Sequence, residues 1–80
     1  HFNDMNIGHY ILPFLKSSNF KIRANTIISL WKFSKYRVKL HPILKDMLFS
    51  KNHEERLEAL YVLGEIKAVQ EVKRLKEYLN

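Results

Sequence analysis

Eighty residues with 46% hydrophobic content make one small folded domain, and a chain of this size buries only about 60–65% of its unfolded surface. Two Gly and two Pro argue against a turn-rich β architecture, the lack of Cys excludes disulfides and thiolate metal sites, and no apolar run reaches the roughly 20 residues that span a bilayer. The net charge of +6 arises in the first half: residues 1–39 hold seven Lys/Arg against Asp4 alone, while residues 40–80 hold seven of each sign.

In chain order, Ile7, Tyr10, Ile11, Phe14 and Leu15 fall at helical spacing and predict an amphipathic first helix, with Pro13 set to kink it or delay its start. Ser17-Ser18-Asn19 is a polar break rich in capping side chains. A second helix over about 20–35 turns Ile27, Leu30 and Phe33 inward. Leu40, Ile43, Leu44, Met47 and Leu48 predict a third, with Pro42 in its first turn, where a missing N–H costs nothing. Ser50-Lys51-Asn52 is the next break, and Asn52 followed by Glu55 has capping-box spacing. A fourth helix over 53–67 turns Leu60, Leu63 and Ile66 inward, and Val72, Leu75 and Leu79 predict a closing helix over about 69–79. Thr26 and Ala59 are small residues where two helices are expected to cross closely. Met5, Phe49, Tyr61, Val62 and Tyr78 are left over from these stripes and are expected to cover open ends, with self-association there as a consequence.

The order of elements is a repetition. Shifting the chain by 33 residues lays 11–33 on 44–66, with Leu15/Leu48, Ser17/Ser50, Asn19/Asn52, Arg23/Arg56 and Leu30/Leu63 identical. A single hairpin cannot cover its own apolar stripe, so stacked neighbours share one core. Leu30→Ala and Leu63→Ala are each expected to cost about 2–5 kcal/mol.

The runs Phe14-Leu15-(x3)-Asn19-(x3)-Arg23-(x2)-Thr26-(x3)-Leu30 and Met47-Leu48-(x3)-Asn52-(x3)-Arg56-(x2)-Ala59-Leu60-(x2)-Leu63-Gly64 resemble the HEAT repeat family, including its short bacterial type found in phycobilisome lyases. The resemblance covers residues 7–79 and implies an all-α solenoid of five helices: repeat 1 at about 5–36, repeat 2 at about 40–67, and the closing helix. It also implies an inter-repeat ladder through Asn19, Arg23, Asn52 and Arg56. The family has Asp where this chain has Asn19 and Asn52, so the ladder here reduces to neutral hydrogen bonds. Because the chain opens with His1 in place of Met, the reading is an excised segment of a longer protein.

Nothing in the pattern asks for catalysis, a metal or a cofactor. His1, His9, His41 and His53 show no ligand spacing, and Glu54, Glu55 and Glu58 crowd a helix start, where the dipole favours negative charge. Lys21, Asn25, Ser29 and Lys32 step along the outward face of the second helix, and Lys35, Arg37 and Lys39 follow it, with Trp31 and Tyr36 interleaved. Trp31 is expected to pack at the hairpin edge. The expected function is a non-enzymatic, cytoplasmic protein-binding scaffold without membrane insertion. The alternative is a nucleic-acid-binding module working through the basic first half. A third reading is a regulatory segment attached to a transporter or signalling enzyme.

Overall fold

A computed structural model describes the backbone over residues 4–79 and the side chains over residues 8–67. The described chain is helical throughout: α1 (Asp4–Ile11), a 3-10 helix (Leu12–Lys16), α2 (Phe20–Trp31), α3 (Ser34–Leu48) and α4 (His53–Leu79). The side chains of Met5, Ile7, Val72, Leu75, Tyr78 and Leu79 lie outside the described residues.

Pro13 divides the first helix. It has no N–H to give and its ring crowds the preceding turn, so α1 stops at Ile11 and the chain tightens into the 3-10 helix, with Pro13 in its first positions. Leu15 from this segment enters the core, while Phe14 faces solvent.

The two following boundaries differ from the expectation, for identifiable reasons. The second helix ends at Trp31, short of residue 35, and α3 begins at Ser34, ahead of residue 40. No Gly, Pro or capping side chain marks this corner. The stop is made from outside the helix, by Arg37 Nε donating to the Trp31 carbonyl at 2.7 Å. A cation on the last carbonyls is favourable both as a hydrogen bond and against the helix dipole. The early start of α3 leaves Pro42 inside it. Pro42 and Val38 are both exposed, so water can take the Val38 carbonyl that the missing N–H leaves free.

α4 runs unbroken from His53 to Leu79, where two separate helices had been expected. The expected inward face of this helix is also corrected. Ala59, Val62 and Ile66 are buried, whereas Leu60 and Leu63 are exposed and only Ile66 of the expected trio is inside. Apolar residues circle much of α4, so periodicity leaves the choice of flank open. Val62, set aside as a leftover, is completely buried, while Phe49 and Tyr61 are exposed.

Packing joins two helical hairpins. The 3-10 helix lies on α2, α3 lies on α4, and α2 packs against both α3 and α4. The core gathers Leu15, Ile27, Leu30, Leu40, Met47 and Val62 among its buried residues, and Thr26 and Ala59 are buried as small residues near the α2 and α4 packing. Thr26 Oγ1 donates to the Ile22 carbonyl at 2.7 Å, which satisfies its hydroxyl inside the core. The Cα extents of 44 × 30 × 18 Å match a slab two helices thick.

Candidate interaction surface

Both hairpins open their second helix with the same hydrogen-bonded corner, and this corner orients the candidate surface. Asn19 Oδ1 accepts from the N–H groups of Lys21 (3.0 Å) and Ile22 (3.1 Å), and Asn52 Oδ1 accepts from those of Glu54 (2.9 Å) and Glu55 (3.2 Å). The Asn19 and Asn52 N–H groups donate to Ser17 Oγ and Ser50 Oγ in turn. Arg23 reaches back to the Ser17 carbonyl through Nε (3.1 Å) and Nη2 (2.8 Å), and Arg56 reaches back to the Ser50 carbonyl through Nη1 (2.7 Å). Asn is favoured as an N-cap because its short side chain can reach these orphan donors.

The expected ladder is therefore corrected. Asn19 and Asn52 cap their own helices, and the arginines bind the corner that precedes them. The link between hairpins runs instead from Arg23 Nη1 to Glu55 Oε2 at 3.4 Å, and Glu55 Oε1 also accepts from Ser50 Oγ at 2.9 Å. The capping box is correspondingly half made: Asn52 caps α4, but Glu55 turns to Ser50 and Arg23.

Of the seven expected partner-contact residues, Lys21, Asn25, Ser29 and Lys32 are exposed along α2. Lys35 and Lys39 are exposed on α3, and Arg37 is half-buried at the α2 C-terminus. Arg37 also sits 5.8 Å over the Trp31 ring, so it belongs to the fold's own packing. Lys32 Nζ lies 5.2 Å from the Phe33 ring and Lys35 Nζ lies 4.9 Å from the Tyr36 ring. The interleaved aromatics are likewise engaged within the fold. Trp31 is buried with its ring edge-on to His41 at 5.0 Å, and half-buried Tyr36 packs against Gly8 and, edge-on, Phe33. With Trp31 buried and Tyr36 half-buried, neither is a fully exposed platform for a stacked base.

The exposed α2 face continues into two grooves. One lies between α2 and α4, lined by Lys21, Asn25, Leu57, Glu58 and Tyr61. The other lies between α2 and the first hairpin's opening segment, lined by Ile11, Phe14, Ile22, Asn25, Thr26 and Ser29. Asn25 borders both. Sequence reasoning found Lys21, Asn25 and Ser29 here but missed Phe14, Ile22, Leu57, Glu58 and Tyr61 as contact residues. By spacing alone Phe14 reads as core and Glu58 as a helix-start charge. The usable signal was Leu57 and Tyr61 at i, i+4, which places two apolar side chains on one turn of the α4 surface.

Among the described residues, no three His, Cys, Asp or Glu side chains gather as metal ligands would, and no helix is long and apolar enough to cross a membrane. No family model, curated protein or solved structure matches the chain.

Proposed function

We propose that this chain is a protein-binding scaffold of HEAT-like hairpins, without catalytic chemistry, that takes an extended or helical peptide along the outer face of α2 and α4. The observation that carries the reading is the exposure of Phe14, Ile22, Leu57 and Tyr61 beside Lys21, Asn25 and Glu58 in two adjoining grooves. Apolar anchors rimmed by polar groups of both signs suit a polypeptide, which offers side chains to bury and backbone groups to bond. A nucleic-acid backbone would favour an uninterrupted basic track. Here Glu58 lies beside Lys21, while Lys32, Lys35 and Lys39 line neither groove. The uneven charge of the first half supports the nucleic-acid alternative, so both belong in one test.

Peptides selected from a random display library against the folded domain should carry apolar anchors. Tyr61→Ala and Ile22→Ala should each weaken the selected peptides by about 1–2 kcal/mol, as hot-spot truncations do. Labelled DNA and RNA should be titrated in parallel at several salt concentrations. Binding with a steep salt dependence, abolished by charge reversal of Lys32, Lys35 and Lys39 but indifferent to Tyr61→Ala, would replace this reading with the nucleic-acid one.

A further inference from the structure

The 33-residue repeat makes it possible to ask what each aligned position does in the two hairpins. On α2, Ala24, Ile27 and Leu30 are 0% exposed, closed off by α3 and α4. Their counterparts on α4, Leu57, Leu60 and Leu63, are 50%, 56% and 39% exposed. The polar corner repeats the asymmetry. Arg23 binds the Ser17 carbonyl and has a third contact, the Glu55 carboxylate of the next hairpin. Arg56 binds the Ser50 carbonyl through Nη1 alone, and among the described residues its further contact is only His53 Nδ1 at 3.4 Å. The outer flank of α4 is thus a second copy of a surface that the fold itself covers, complete with its arginine and, among the described residues, without a cover.

We infer that the Leu60, Leu63 and Arg56 flank of α4 is a docking site for an amphipathic helix supplied by a separate polypeptide, with a carboxylate in its first turn to meet Arg56 and a small residue one turn later. The required chemistry is that of the existing interface, where Glu55 meets Arg23 and buried Ala59 follows it by four residues. A second copy of this chain is a poor occupant. Its corresponding flank carries Ile22 where Glu55 stands and Ser29 where Val62 stands, so it brings neither the carboxylate nor the apolar cover. Among the described residues no segment turns back onto the site as the chain does onto α2 after Trp31: α4 continues past Gly64 to Leu79.

The test uses a fluorescein-labelled, end-capped peptide of residues 50–67 of this sequence, titrated into the whole 80-residue protein and followed by anisotropy. Saturable binding is expected. It should weaken roughly tenfold or more with Arg56→Glu in the protein and recover when the peptide carries Glu55→Arg. Leu60→Asp, at a half-exposed position, should weaken it independently, so the conclusion does not depend on one variant staying folded; circular dichroism checks both. Tyr61→Ala should leave this binding unchanged, which separates it from the α2 and α4 grooves. Absence of binding at millimolar peptide, or binding that survives Arg56→Glu and Leu60→Asp, would overturn the inference. So would binding lost with Arg23→Glu and untouched by Arg56→Glu, because the peptide would then be displacing α4. Dimerisation of the protein alone, abolished by Leu60→Asp, would also overturn it by making a second copy the occupant.

Discussion

The two hairpins share a corner almost atom for atom and differ in what their second helices bury. In both, a serine hydroxyl, an asparagine cap and an arginine close the helix start within seven residues. Such a corner is local, so equal residues give equal structure. Burial is not local. Leu30 and Leu63 are aligned and identical, yet one is sealed and the other is partly open, because only α2 has a following hairpin against it among the described residues. A repeated sequence therefore repeats its caps but not its environment.

The sharpest way to break this comparison is to truncate the aligned leucines. Leu30→Ala should cost about 2–5 kcal/mol, a large part of the stability of so small a domain, whereas Leu63→Ala should cost about 1 kcal/mol or less. Urea unfolding followed by circular dichroism measures both, and equal losses would mean that the α4 flank is covered in solution. This revises the equal cost expected from the repeat alone.

The glycines give the next largest contrast, with opposite signs. A Cβ on Gly8 would lie 2.8 Å from Tyr36 Cε2, so Gly8→Ala should destabilise by about 1–3 kcal/mol through overpacking. A Cβ on Gly64 meets nothing within 4 Å, so Gly64→Ala should stabilise by about 0.5–1 kcal/mol through helix propensity. Thermal melts of the two variants should move in opposite directions.

The caps should show near-equality. Asn19→Ala and Asn52→Ala each remove two hydrogen bonds to orphan N–H groups and should each cost about 1 kcal/mol in denaturant titrations. A cost confined to one hairpin would contradict the shared corner.

The smallest effect is the ion pair. A double-mutant cycle on Arg23 and Glu55, whose side chains are 20% and 15% exposed, should return a coupling of about 0.5–1 kcal/mol that shrinks with added salt. The same cycle on Arg56 and Glu55 should return nothing measurable.

Much of the fold was legible in the residues. The all-helical class, the breaks at 17–19 and 50–52, the asparagine positions and the core roles of Leu15, Ile27, Leu30, Leu40 and Met47 follow from spacing and capping chemistry alone. The corner at Lys32–Phe33 was not legible, because Arg37 terminates α2 from the next helix and leaves no local mark. The candidate surface was half legible. Lys21, Asn25 and Ser29 read as an outward strip, but Phe14 and Leu57 look in sequence like any other apolar residue of a helical stripe.

By itself the sequence determined where α2 and α4 start, which side chains cap them and that the unit occurs twice, since these depend on contacts a few residues apart. Only the tertiary structure decided which flank of α4 faces inward, that Glu55 answers Arg23 in place of an asparagine ladder, and that Leu60 and Leu63 stay open. The physical reason is that an apolar residue on a helix is specified only as able to be buried, while whether it is buried depends on which neighbouring helix reaches it.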